Sequence, residues 1–217
     1  MQPPSPSRRG PRRKKAVTLR IRATVVGTEP PLFRWMDVSS ELSLDDLHEV
    51  LGWCFGWVDR ASHEFRCGTA FDDPAVERYV SPAAAADGDP ARLETQVLLN
   101  EIFTNVGDTL FYLYDFSDLW VHHLVLEEMK PRTVKTPRAR CAGGARDCPA
   151  DVGGGISRYE YWSRRTDLFD DDEFAAFEFV TPEDIITRSA ESHPGPFVIE
   201  EINWALARQF GYGRAAN

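Results

Sequence analysis

The ten residues Tyr114-Asp115-Phe116-Ser117-Asp118-Leu119-Trp120-Val121-His122-His123 constrain the fold more than any other stretch, because they set aromatics, carboxylates and imidazoles around one turn. Gly107-Asp108 reads as a turn into a strand over Thr109 to Asp115, and Trp120 to Glu128 reads as its partner. A two-residue turn at Ser117-Asp118 would put Asp115 opposite Trp120, with His122 on the same face at the diagonal position. Diagonal neighbours lie about 7–8 Å apart, within joint reach of a carboxylate and an imidazole. An Asp115–His122 hydrogen bond is therefore expected. Such a bond fixes an imidazole tautomer for catalysis or metal binding, and it equally satisfies two half-buried polar groups. No nucleophile or full ligand set accompanies the pair in sequence, so the structural role is the one expected. Trp120 reads as core beside Phe111, Leu113 and Leu124.

The flanking segments define the rest of the architecture. Val17, Leu19, Ile21, Ala23 and Val25 alternate with Thr18, Arg20, Arg22 and Thr24, the period of a half-buried strand, and Leu32 to Val38 can return beside it. Ser43 and Asp46 stand in capping-box spacing ahead of a helix whose apolar stripe is Leu44, Leu47, Leu51, Cys54 and Phe55. His48 lies on that stripe and reads as a hydrogen-bonded core residue. His63 to Cys67 predicts a short strand, and Thr95 to Phe103 is more helical than extended. Residues 72–92 read as a surface insertion and residues 130–155 as an irregular Gly/Cys-rich loop. Thr181-Pro182-Glu183-Asp184 opens a helix that Pro194 stops, and Phe197 to Phe210 supplies a last amphipathic one. Asp170, Asp171, Asp172 and Glu173 read as a solvated charge run. The order predicts a single α+β domain over residues 16–210, a mainly antiparallel sheet with helices packed on one face, and a flexible end over 211–217.

Charge is divided unevenly. Arg8, Arg9, Arg12, Arg13, Lys14 and Lys15 supply six of the 25 basic residues, which leaves 19 against 34 acidic ones, a balance of −15, from residue 16 onward. A body so acidic repels phosphate backbones, so nucleic-acid contact is expected only through this tail. Residues 1–15 read as a disordered basic leader. No run of 18 apolar residues and no secretory leader are present, so a soluble, cytoplasmic protein without membrane contact is expected. Four cysteines, Cys54, Cys67, Cys141 and Cys148, are too few for a disulfide scaffold of 217 residues and read as reduced thiols.

Signatures of phosphate-binding loops, serine-hydrolase elbows and zinc proteases are missing. A divalent-metal site assembled from distant segments stays open, with His63, His122, Cys141 and Cys148 as candidate ligands and His48, Asp115, Asp118 and Asp151 as further donors.

Several blocks occur together in one order: Pro30-Pro31-Leu32-Phe33-Arg34, Leu44-Asp45-Asp46-Leu47-His48, Phe55-Gly56-Trp57, His63-Glu64-Phe65, the Tyr114 to His122 block, and Cys148-Pro149-Ala150-Asp151-Val152-Gly153-Gly154. From about Val17 to Tyr161, with a looser tail to about Ala207, the chain resembles the plasmid pRiA4b ORF-3-like family. The resemblance implies an α+β domain of bacteria and archaea, often carried by plasmids or other mobile elements. Some relatives bear a resolvase-like label, but the serine, arginine cluster and helix-turn-helix of a serine recombinase are not found in this sequence. The family has no established catalytic residues to carry over. This chain has Ser117 where the family usually has Gly, and Ala61-Ser62-His63 where a His-x-His is typical.

The expected function is a non-enzymatic binding or accessory module with an unidentified protein or peptide partner. Its polar cluster would draw on Arg34, His48, His63, Asp115, Asp118, Trp120, His122, Asp151, Gly153 and Gly154, in a cleft between hairpin and Gly-rich loop. The alternatives are a metal-dependent hydrolase using His63, Asp115 and His122 near Asp151, and nucleic-acid contact through the basic tail.

Overall fold

A computed structural model describes residues 10, 15–57, 62–68, 70–73, 76–147, 154–163 and 197–212. The first strand, β1 (Val17–Val25), buries Leu19, Ile21, Ala23 and Val25 on one face, as its alternation predicts. It pairs antiparallel with β2 (Phe33–Ser39), Arg22 standing opposite Trp35. Helix α1 (Leu44–Phe55) follows. Its first turn is closed by Asp46, which accepts the Ser43 N–H at 3.2 Å, and it stops at Gly56, whose φ of 77° suits a residue without a Cβ. Then come β3 (His63–Cys67), β4 (Glu77–Val80), a short α2 (Pro82–Ala86), β5 (Arg92–Leu93), a 3-10 turn (Glu94–Gln96) and the single-turn α3 (Leu99–Ile102). The central hairpin is β6 (Thr109–Tyr114) and β7 (Trp120–Pro131), followed by β8 (Ala139–Ala145), α4 (Gly155–Ser163) and α5 (Ile199–Phe210).

All eight strands form one sheet in the order β5-β4-β3-β6-β7-β1-β2-β8, antiparallel throughout except for the two-residue β4–β5 pair. Its inner face carries Phe65, Leu110, Tyr112, Leu124, Leu126, Ile21 and Met36. Leu47, Leu51 and Phe55 of α1 and Ile202, Leu206 and Phe210 of α5 join them in one core. This is the α+β, single-domain architecture expected. No described helix is long and apolar enough to cross a membrane.

Three expectations about loops need correction. Residues 72–92, expected as a surface insertion, also extend the sheet, because β4 pairs with β3 and adds an edge to it. There the buried Glu64 carboxylate accepts from both Arg66 and Arg78, and Arg78 also reaches Asp89. Four residues of Glu-Arg-Tyr-Val carry too little period to announce such a strand; the ion pairs to β3 hold it. Residues 130–155 likewise contain the end of β7 and all of β8. Strand β8 is hidden in sequence because Ala139-Arg140-Cys141-Ala142-Gly143-Gly144-Ala145 has no large apolar residue on either face. Gly144 is required where it sits, since a Cβ there would come within 2.6 Å of the Phe33 carbonyl oxygen. The far end is not wholly free either: Tyr212 bridges to Pro137, and Gly211 O accepts from Arg138 N at 3.0 Å. The acidic run 170–173, the helix expected from Thr181 and its stop at Pro194 lie outside the described residues.

The β8 edge is closed by a side chain. Asn203 of α5 accepts from Cys141 N at 2.8 Å through Oδ1 and donates to Cys141 O at 3.0 Å through Nδ2, so its amide mimics one residue of a ninth strand. Asn203→Ala leaves both backbone groups without these partners and should lower unfolding stability by roughly 1–3 kcal/mol. Urea titration checks this; a midpoint equal to that of the natural protein would mean that water replaces the amide at no cost.

Candidate functional site

The central hairpin differs from its expected geometry by one residue of register. Tyr114 pairs with Trp120 and Tyr112 with His122, so the connection is the five-residue loop Asp115 to Leu119 rather than a two-residue turn. One step of slip reverses the face of every side chain on a strand. Tyr112, Tyr114, Trp120, His122 and Leu124 therefore share the core face, while Phe111 and Leu113 do not join Trp120 as expected. The Asp115–His122 hydrogen bond does not form. Asp115 instead organises its own loop: Oδ1 accepts from Ser117 N at 2.8 Å and more weakly from Asp118 N at 3.4 Å, and its carbonyl accepts from Leu119 N at 2.7 Å. Asp115 and Leu119 both have positive φ, 54° and 56°. Ser117, standing where Gly is usual, is not among the positive-φ residues.

Asp118 holds the beginning of α4. Its Oδ1 accepts from Gly154 N at 2.9 Å, and its carbonyl oxygen would lie 2.7 Å from a Cβ built on Gly155. Hairpin and glycines are thus in direct contact, and the cleft expected between them is closed along this line. Gly153 and Asp151 lie outside the described residues.

His122 is fully buried, ringed by Phe55, Trp57 and Tyr112 at centroid distances of 4.8, 5.0 and 5.4 Å. Its Nδ1 faces the carbonyls of Trp120 at 3.0 Å and Tyr112 at 3.3 Å. Burial drives its pKa down to about 3, so the ring is neutral at ordinary pH.

A second group of polar residues meets on the other side of Tyr112. The His48 and His63 rings stack 3.6 Å apart at 6°. His63 Nε2 lies 3.0 and 3.2 Å from the two oxygens of the buried Glu94 carboxylate, and His48 Nδ1 lies 2.8 Å from the Tyr112 hydroxyl. Burial raises the Tyr112 phenol well above its usual range, which keeps it protonated and able to donate. Helix α1, strand β3, the 3-10 turn and β6 each contribute one side chain. Nothing in the sequence points to Glu94. It follows a two-residue strand in a segment without period, and only the folded sheet edge carries it to His63.

Arg34 is fully buried as well. Its Nε donates to Cys54 O at 2.8 Å and its Nη1 to Phe33 O and Ala145 O at 2.9 and 2.8 Å, while the guanidinium lies 3.8 Å from the Phe197 ring centre. It joins β2, α1, β8 and the lead into α5. Nearby, contact with the Cys54 thiol, helped by the Arg34 and Arg140 charges, draws the Cys141 thiol down to about 7 against the opposing effect of burial.

Of the expected metal ligands, the described ones do not converge. His63 is taken by Glu94, His122 by backbone carbonyls, and Cys141 neighbours Cys54; Cys148 lies outside the described residues. Among the described residues no three His, Cys, Asp or Glu side chains are placed to hold a metal ion. The hydrolase set of His63, Asp115 and His122 is likewise split between the stacked pair, the loop and the core. Of the basic tail, Arg8, Arg9, Arg12, Arg13 and Lys14 lie outside the described residues and Lys15 is exposed.

The eight-stranded sheet with helices on one face places the protein in the α+β class. A solved protein shares this fold: the crystal structure of the protein of unknown function MM3350 from Methanosarcina mazei Go1 superposes with a TM-score of 0.65 at 21% identity, covering 86% of this chain and 97% of that one. At the level of sequence, residues 17–178 match the model of the plasmid pRiA4b ORF-3-like protein, and the chain belongs to that family. It is also 31% identical over 141 residues to the uncharacterized protein y4hQ of Sinorhizobium fredii (strain NBRC 101917 / NGR234), across 64% of this chain and 68% of that protein.

Proposed function

We propose that this member of the plasmid pRiA4b ORF-3-like family is a binding module without chemistry of its own, an accessory to plasmid or mobile-element biology that engages a protein partner through the hairpin end of its sheet. The observation that carries this reading is the apolar surface kept there. Val26, Phe116 and Leu119 are 45%, 46% and 55% exposed at one end of the sheet. Asp115 N and Phe116 N are tied to Ser62, and Asp118 is tied to Gly154, so the loop is held from several sides. Exposed apolar side chains on a braced loop are what a partner surface needs.

The backbone supports the same reading. A left-handed conformation costs a non-glycine residue roughly 1–2 kcal/mol, and such strain collects where a side chain must be presented. Leu119→Gly should therefore leave the fold intact or raise its stability by up to about 1 kcal/mol, while weakening partner binding. Phe116→Ser combined with Leu119→Ser should abolish binding with little change in melting temperature. The test is crosslinking capture from cells that encode the protein, followed by titration of each purified candidate against both variants. A partner that binds the double variant as tightly as the natural chain would refute the surface. Stoichiometric metal in protein purified without chelators, lost on His63→Ala, would replace this reading with the metal-dependent one.

A further inference from the structure

Two ring nitrogens buried below the hairpin end have no hydrogen-bond partner among the described residues: His122 Nε2 and Trp57 Nε1. Their residues are 0% and 5% exposed, and the two rings stand 5.0 Å apart, nearly perpendicular at 83°. A buried polar atom left unpaired is costly, and two on adjoining rings call for a common explanation.

The two atoms are of opposite sense. The Trp120 and Tyr112 carbonyls beside His122 Nδ1 can only accept, so the proton of the neutral imidazole sits on Nδ1 and Nε2 presents a bare lone pair. The indole nitrogen carries a hydrogen and can only donate. A group that satisfies both must accept from one and donate to the other through neighbouring atoms, as an O–H does. A carboxylate could accept from Trp57 but has nothing to give His122, and a phosphate, though its P–OH could donate, would bring its charge into an apolar setting. A metal on Nε2 would need further ligands, and no such set is formed among the described residues. The surroundings select against charge: Phe55 and Tyr112 ring His122, while Tyr114 stacks on Trp57 at 4.3 Å and Trp120 lies 6.0 Å from it.

We propose that His122 and Trp57 form a receptor for one uncharged O–H group, that of a water molecule or of a small alcohol or phenol, seated against the aromatic rings at the hairpin end of the core. The site is separate from the exposed partner surface and stands or falls independently of it. It assigns Trp57 a function that packing alone does not require, and it places a polar guest at the junction of α1 with the central hairpin.

The test is nitrogen NMR on the full chain labelled with 15N at histidine and tryptophan. In the natural protein, the His122 Nε2 resonance is expected at the position of a nitrogen that accepts a hydrogen bond, displaced from that of a free imidazole lone pair. Trp57→Phe, which removes the indole donor but keeps an aromatic ring, should move that resonance toward the free position and leave the other histidines in place. Adding phenol or propan-2-ol separates the sources of the O–H: a saturable shift of both the His122 and Trp57 signals identifies an organic guest, and signals unchanged from the bonded position identify water. A His122 Nε2 at the free-lone-pair position in the natural protein overturns the proposal, and this reading needs no variant to fold. A proton found on Nε2 instead of Nδ1 overturns it equally. A crystal structure showing the indole N–H directed at the imidazole face, with no oxygen near either nitrogen, would do the same.

Discussion

Lowering the pH from 6.5 toward 5 should destabilise the natural protein by a margin that a His122→Gln variant does not share. In the fold His122 has a pKa of about 3, against an ordinary value of 6.5. Between those values the unfolded chain binds a proton that the folded chain refuses. The stability due to neutral His122 is therefore fully present above pH 6.5 and is lost as pH falls toward 3. The slope approaches about 1.4 kcal/mol for each pH unit, and the whole interval amounts to roughly 5 kcal/mol as an order of magnitude. Burial lowers His123 in the same direction, but that ring is partly solvated and its share is smaller. Glutamine keeps an N–H for the Trp120 and Tyr112 carbonyls and does not titrate. Urea midpoints at pH 7.5, 6.5 and 5.5 compare the two chains. The difference between their stabilities should change steadily in favour of the variant as pH falls, and parallel curves would show that the imidazole protonates without entering the balance.

Arg34→Met should cost about 3–5 kcal/mol, because one buried and two partly buried carbonyls lose this donor at once and methionine has nothing to offer them. The carbonyls belong to Cys54 at the end of α1, Phe33 in β2 and Ala145 in β8. The loss should reach all three elements: hydrogen exchange of β8 amides should quicken along with the lowered guanidinium chloride midpoint. Arg34→Lys should fall between, since an ammonium is a point donor and cannot reproduce the planar fork. If Arg34→Met unfolded at the natural midpoint, relaxation or water would have to satisfy the three carbonyls, and the clamp would be a matter of shape alone. The tight approach of Gly144 to the Arg34 Cδ, 2.7 Å for a built Cβ, leaves little room for a larger residue beside it.

Much of the fold was legible where a local period or cap carried it. The alternation of Val17 to Val25 appears as β1, the Ser43 and Asp46 spacing as the start of α1, and the stripe after Phe197 as α5. The family blocks around Pro30-Pro31-Leu32-Phe33-Arg34, Phe55-Gly56-Trp57 and Tyr114 to His122 were legible as well, and they turn out to surround one core. The candidate site was legible in its membership but not in its pairings. A two-residue turn would pair Asp115 with His122, whereas the five-residue loop changes the register and turns the carboxylate to its own backbone. His48 and His63 stand 15 positions apart with nothing in the intervening sequence to show that their rings would stack. Glu94 had no signal at all.

By itself the sequence determined which segments carry a buried face, because side-chain period and capping are local and each apolar face must be removed from water wherever the chain goes. It determined the family through residue types in order. Only the tertiary structure decided that Ala139 to Ala145 is a strand, that Glu94 meets His63, and that the Asn203 amide closes the sheet edge. Each of these rests on partners brought from far along the chain: β8 is extended because β2 and Asn203 take up its backbone groups, Glu94 meets His63 because the sheet edge carries it there, and His122 stays neutral because the rings of Phe55, Trp57 and Tyr112 close around it. Such contacts have no period in sequence; hydrogen-bond satisfaction and desolvation select them once the layers are packed.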